Sequence, residues 1–432
     1  MTNTRWRIVA LLLIATVINY TDRVNLSYVA PTFMKQFHLG AGAMGVVLSA
    51  FLWTYFLMQI PMGLALDRVG VRFLYGGAAL LWGVATMLTA TVSGLGSLVG
   101  WRVLLGLGEA PMVPATTKIV GVWVADQERG LAAAVGGVAG VPIGVFISSP
   151  FIGWLFASFG WRSVFIGTGV LAVVWAIAWA IYYRDPAMHP GTNDAERRFL
   201  ANNIAKVSRP DAIHLASWRQ LLANRNVVGL SLGQAALLFN LYFLLSWLPT
   251  YLIQQHHLTM LHTGIYGSIP WLFGLLGVIA GGKGSDILIK RGWPIIRARK
   301  VFLALGMVLA MASLLSNFVM SLTATIACLS VSVFGILLTN SVVWATNAEV
   351  APLHQGGSVA AIQNCFGNVG GLLAPIVVGF LLQETGSWGV PMAAAALVAL
   401  AGADVYLFVL SDDALFVRQG TAAETHDIIT VA

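Results

Sequence analysis

Ile8-Val9-Ala10-Leu11-Leu12-Leu13-Ile14-Ala15-Thr16-Val17-Ile18-Asn19-Tyr20-Thr21-Asp22-Arg23-Val24-Asn25-Leu26-Ser27 opens as an apolar run and then carries an acid and a base in its interior. Apolar sequence resumes and continues to Phe33, beyond the roughly 20 residues that a helix needs to cross a hydrocarbon layer. Arg5 and Arg7 stand ahead of the run as in a secretion signal. Ile18 to Arg23 offers no small-residue cleavage site, however, so the stretch reads as a retained membrane helix. Working outward, twelve such stretches are expected, at about 8–33, 41–65, 73–94, 96–118, 130–156, 162–183, 227–253, 263–284, 299–318, 322–347, 356–382 and 388–411. Hydrophobic residues make up 58% of the 432 and charged residues only 9%, against roughly 25% charged in a soluble domain. A water-soluble globule is excluded, and the lipid bilayer is the first partner that the composition names.

A net charge of +7 would elsewhere suggest a nucleic-acid partner. In a bilayer protein basic residues collect in the cytoplasmic loops instead, so no nucleic-acid partner is expected. With the N-terminus inside, 20 of the 24 Lys and Arg residues fall on the inner side. Only Lys35 and Arg162 fall outside, while Arg23 and Arg102 lie within helices. Both termini are therefore expected in the cytoplasm. Cys328 and Cys365 each sit in an apolar block, so no disulfide framework and no metal site are expected.

The chain repeats itself weakly. Gly63-Leu64-Ala65-Leu66-Asp67-Arg68-Val69-Gly70 after the second stretch matches Gly282-Lys283-Gly284-Ser285-Asp286 after the eighth, with Gly and Asp each displaced by 219. Pro150, Gly153, Gly160 and Trp161 likewise match Pro375, Gly379, Gly386 and Trp388. The expected fold is an all-α membrane protein of twelve transmembrane helices in two six-helix bundles, the plan of the major facilitator fold. The expected divisions are an N-terminal bundle over 1–183, a cytoplasmic linker with a surface helix over 184–226, a C-terminal bundle over 227–411 and a cytoplasmic tail over 412–432. Asn193-Asp194-Ala195-Glu196 is the helix start within the linker.

Four charges lie deep in the first bundle: Asp22 and Arg23 in the first helix, Arg102 and Glu109 in the fourth. Each disfavours insertion by roughly 2.5–3.5 kcal/mol, together roughly 10 kcal/mol. Internal ion pairs locking two helices are poor stabilisers compared with apolar packing, so a functional cavity is the better reading. Arg102 and Glu109 are seven residues apart, two helical turns on one face. Tyr20, Tyr55, Asn240, Tyr242, Ser341, Trp344 and Asn364 are candidates to complete a pocket. Asp67, Arg68 and Asp286 sit at helix ends and are expected to gate it. Glu349 and Asp404 read as helix-end charges outside the site. Gly136, Gly140 and Gly144 fit close packing and helix bending equally well. No membrane His, Cys pair or acid pair supplies a nucleophile with its base, which argues against an enzyme.

These residues resemble the anion:cation symporters of the major facilitator superfamily. The likeness runs through Asn19 to Ser27, through Trp53-Thr54-Tyr55 with Gln59-Ile60-Pro61, and through Arg102 to Glu109 with Pro111. It continues in Trp247-Leu248-Pro249-Thr250-Tyr251-Leu252 and in Asn364 with Gly367-Asn368-Val369-Gly370-Gly371. The resemblance implies proton-coupled symport of a small organic anion, with H+ as the coupling ion and no cofactor. It implies proton uptake at Asp22 and Glu109, a substrate carboxylate on Arg23, and a pocket lined by Tyr20, Tyr55, Ser341, Trp344 and Asn364. It also implies a monomer in a plasma membrane, as in the inner membrane of bacteria. One sugar-acid importer of this family holds sugar hydroxyls with a glutamine on the fifth helix. Leu131 to Ile147 contains no polar side chain, which turns the expectation toward a less hydroxylated or aromatic acid.

From the charges, Arg23 is expected to be neutralised by its neighbour Asp22, and protonation of Asp22 to free the guanidinium for an incoming carboxylate. Proton-driven efflux is the alternative, and a transport-inactive membrane sensor a more distant one.

Overall fold

The computed structural model describes residues 2–204, 218–351 and 356–411. In the first half α1 (Thr4–Gln36), α2 (Ala41–Val69) and α3 (Val71–Leu88) each run through in one piece. The fourth crossing is divided into α4 (Leu95–Glu109) and α5 (Met112–Trp123). The fifth consists of α6 (Arg129–Ala133), a π-helical turn (Ala134–Val138) and α7 (Gly140–Phe159), and the sixth is α8 (Trp161–Tyr182). Helices α9 (Asp194–Asn203) and α10 (Trp218–Ala223) follow between the halves. The second half contains α11 (Arg225–His256), α12 (Met260–Lys290), α13 (Ile295–Ala310) with the short α14 (Ala312–Leu315), α15 (Leu322–Val350), α16 (Gly356–Thr385) and α17 (Gly389–Phe408).

Among the described residues, eleven stretches are long and apolar enough to cross a membrane. The remaining crossing, the fourth, is broken because Pro111 has no N–H for the helical ladder and its ring crowds the carbonyl one turn back. That break leaves Glu109 as the last residue of α4. Within each helix the backbone polar groups satisfy one another, as a segment in hydrocarbon requires.

Both described chain ends lie at one end of the bundle, called here the terminal end. At the opposite end the two halves meet closely, α2 against α16 and α7 against α12. A methyl group at Gly45 would overlap the Pro375 carbonyl, and one at Gly264 would lie 2.5 Å from the Ser149 carbonyl. Glycine is what lets these backbones touch. Gly140 and Gly144 face Thr16 and Val17 of α1 in the same way, so the glycines of the fifth crossing serve close packing. The Thr16 hydroxyl donates to the Gly136 carbonyl at 2.7 Å, occupying an acceptor within the π-helical turn.

At the terminal end Glu196 of α9 caps the start of α1. Its carboxylate accepts from the Thr2 hydroxyl (2.6 Å), the Thr4 and Arg5 N–H groups (3.3 and 3.1 Å) and the Arg5 guanidinium (3.3 Å). Arg5 also reaches Glu128 at 2.9 Å. Burial pushes the Glu196 carboxyl up, but these donors outweigh it and hold it below the usual range. Its contribution to stability is therefore complete above the ordinary Glu value near pH 4.3 and is lost as pH falls through the depressed one. Glu196→Ala removes the cap while Arg5 keeps Glu128, and is expected to cost about 1–2 kcal/mol. A lower unfolding midpoint in detergent at pH 7, with the difference shrinking as the medium is acidified, is the measurement.

Candidate functional site

Arg23 leaves α1 toward the end of α4. Its Nε and Nη2 each lie 3.0 Å from the same Glu109 carboxylate oxygen, Oε2. Nη1 donates to the Tyr242 hydroxyl, from α11 of the other half, at 2.8 Å. The rings of Tyr20, Phe51 and Tyr55 lie 4.9, 5.2 and 4.7 Å from the guanidinium carbon. The Arg23 side chain is 5% exposed and that of Glu109 is fully buried. A buried pair is sustained only where further partners offset lost hydration. Here the aromatic faces, with their negative quadrupoles, do that for the cation. Glu109 Oε1 has no hydrogen-bond partner. Asn19, one turn before Arg23 on α1, lies beside Glu109.

The expectation that Asp22 neutralises Arg23 is corrected by this geometry. Adjacent residues on a helix point about 100° apart and do not face each other. Asp22 turns away, with Oδ1 accepting from Asn25 Nδ2 at 3.4 Å and Thr86 and Thr168 nearby. Its Oδ2 has no partner, and among the described residues it makes no ion pair. Arg102 does not bond to the Asp22 carboxylate; it donates from Nη1 to the Asp22 backbone carbonyl at 3.1 Å. The four interior charges thus form one ion pair, Arg23 with Glu109, while Arg102 meets Asp22 only at its backbone carbonyl.

Of the residues picked from sequence, the structure gathers Arg23, Glu109, Tyr20, Tyr55 and Tyr242. Asn240 is buried and bonds back to the Ala236 carbonyl at 3.0 Å. Ser341 bonds back to Leu338 at 3.0 Å and faces Gly281 of α12. Trp344 is 37% exposed. None of these three touches Arg23. Asn364 instead crosses the interface between halves, its Nδ2 donating to Gln59 Oε1 at 2.7 Å. Phe51 escaped the sequence reading, although its spacing of four and eight residues from Tyr55 and Gln59 places all three on one helix face.

The gate candidates differ in setting. Asp67 pairs with Lys118 of α5 at 2.7 Å while remaining largely exposed, and Arg68 is exposed. Asp286 pairs at 2.8 Å with Arg299 of α13, which also holds Glu349 at 2.7 Å. Glu349 is therefore part of a three-member charge cluster joining α12, α13 and α15, beyond the lone helix-end charge expected of it.

A family model described as Major Facilitator Superfamily matches residues 12–375. The chain belongs to the major facilitator superfamily. It is a multi-pass membrane transporter and not an enzyme. A relative from Escherichia coli K12, named "Probable galactarate/D-glucarate transporter", is 34% identical over 426 residues, covering 95% of each chain. A relative of the same name from Bacillus subtilis 168 is 33% identical over 400 residues, covering 90% of this chain and 88% of its own. The "D-galactonate transporter" of Escherichia coli O6:H1 is 31% identical over 418 residues, covering 94% of this chain and 96% of its own. Among solved structures, the inward-facing and occupied form of a bacterial homologue of the human lysosomal transporter Spinster superposes with a TM-score of 0.76. It covers 95% of this chain and 98% of its own at 18% identity, which is a likeness of fold. The superfamily plan accounts for the two bundles and for a polar site where they meet.

Proposed function

We propose that this transporter imports a small sugar acid together with protons, by alternating access, as a monomer in a bacterial inner membrane with both termini in the cytoplasm. One observation carries the proposal: a guanidinium buried among aromatic rings is held by one carboxylate from its own half and one hydroxyl from the other. An arriving carboxylate competes with Glu109 for Arg23. A proton on Glu109 removes that competitor and leaves the planar donor pair to the substrate. By linkage, substrate then raises proton affinity as much as protons raise substrate affinity. Asp22, which makes no ion pair among the described residues, can exchange a proton without breaking any contact of Arg23 and is the alternative site for the coupling proton. The relatives' names favour a hydroxylated acid over an aromatic one. The test is uptake into proteoliposomes of labelled sugar acids and aromatic acids under an inward proton gradient. Outward movement of the same acids under that gradient would instead support efflux.

The terminal-end charges are read as the inner gate. Asp67 and Lys118 join α2 to α5, while Asp286, Arg299 and Glu349 join three helices of the other half, so both clusters brace the terminal end without touching the aromatic cage that Tyr20, Phe51 and Tyr55 form around Arg23. Asp67→Asn is expected to slow transport about tenfold at unchanged equilibrium affinity. Finding affinity lost at unchanged turnover reverses the assignment.

A further inference from the structure

The fifth crossing offers the site no polar side chain between Leu131 and Ile147, and its glycines are spent against α1. A donor for substrate hydroxyls has to come from elsewhere. Gln59 lies one turn beyond Tyr55 on α2, about 6 Å along the axis toward the terminal end. Tyr55 is the ring closest to Arg23, at 4.7 Å. Asn364 approaches the same place from the other half, because Gly371, two turns along α16, packs against the ring of Tyr242. Arg23, Tyr55, Gln59, Asn364, α16 and Tyr242 thus close a ring of contacts around the cage.

The hydrogen bond from Asn364 occupies the Gln59 carbonyl oxygen. Gln59 Nε2, which carries two N–H donors, is buried and has no partner. A buried polar group without a partner is uncommon and calls for an account. We infer that Gln59, oriented by Asn364, donates to a hydroxyl of the substrate several carbons from the carboxylate held by Arg23. The amide is neutral, which suits a hydroxyl oxygen better than a second carboxylate. Among the described residues of the C-terminal half, every Lys and Arg from 227 onward lies between 283 and 300, at the terminal end of α12 and in α13. A second carboxylate beside Asn364 would find no cation on that wall.

The inference rests on the proposed import of a sugar acid and deepens it. The experiment measures equilibrium binding of D-galactonate, galactarate and adipate, a six-carbon diacid without hydroxyls, to the purified transporter and to Gln59→Met and Asn364→Ala. Wild type is expected to prefer the hydroxylated acids to adipate. Gln59→Met should lower affinity for the hydroxylated acids about tenfold, the worth of one hydrogen bond from a buried amide, and leave adipate unchanged. Asn364→Ala should erode the same preference without removing the donor. Equal losses for all three acids, or affinities unchanged for all three, would make the Gln59 to Asn364 bond a gate contact and overturn the inference. Wild type binding adipate as tightly as galactarate overturns it too, while leaving the proposed import of acids standing. Wild type binding none of the acids removes the proposed function itself.

Discussion

Arg23→Ala is expected to lower affinity for the transported acid at least about a hundredfold, since two charge-assisted hydrogen bonds to a carboxylate are lost together. The substitution also strands Glu109, whose Oε2 takes both of its short contacts from Arg23. A buried carboxylate left without its cation costs about 3 kcal/mol, so loss of binding and loss of folding must be kept apart. The double variant Arg23→Ala, Glu109→Gln removes the orphan charge and should elute as a folded protein while still failing to bind. Arg23→Lys should also bind poorly, because an ammonium cannot present two parallel donors to a carboxylate. Titration by intrinsic tryptophan fluorescence checks this. Affinity of the double variant within twofold of wild type would remove Arg23 from the substrate site.

Much of this arrangement was legible in the sequence, for reasons of cost. A charge in hydrocarbon is expensive enough to announce itself wherever it stands, so Arg23, Arg102, Glu109 and Asp22 could be singled out from their positions alone. Which charge meets which was not legible. Sequence neighbours invite pairing, yet Asp22 and Arg23 point to different faces, and only the approach of α4, ended at Glu109 by Pro111, decides the partner. Neutral polar residues carry a weaker signal, because serine and asparagine in a membrane helix can return their hydrogen bonds to the preceding turn. Ser341 and Asn240 do so, at Leu338 and Ala236. Gln59 was invisible as a site residue for the opposite reason, since its importance lies in a contact with a residue 305 positions away. The terminal-end clusters show the same limit: Asp286 was found by its repeat with Asp67, whereas Arg299 and Glu349 had no internal counterpart to mark them.

Glu109→Gln is expected to keep exchange and lose accumulation. Glutamine resembles the protonated acid in shape and cannot titrate, so Arg23 stays available to an anion at every pH. Wild type should bind the acid more tightly as pH falls, because each proton on Glu109 removes the competitor for Arg23. In the variant that dependence should flatten, apart from any share that belongs to Asp22. Counterflow, in which labelled acid enters against unlabelled acid inside, needs only the loaded carrier to reorient and should persist. Net uptake is different, because the empty carrier must return with its proton released. With a difference of one pH unit and one proton coupled, wild type can concentrate the acid about tenfold, and the variant should stop near equal concentrations. Asp22→Asn separates the two carboxylates: it leaves the Arg23 to Glu109 pair intact and so should retain the pH dependence of binding. If Glu109→Gln still concentrated the acid under a pH difference alone, the coupling proton would belong to Asp22, and the Glu109 contact with Arg23 would be a structural ion pair.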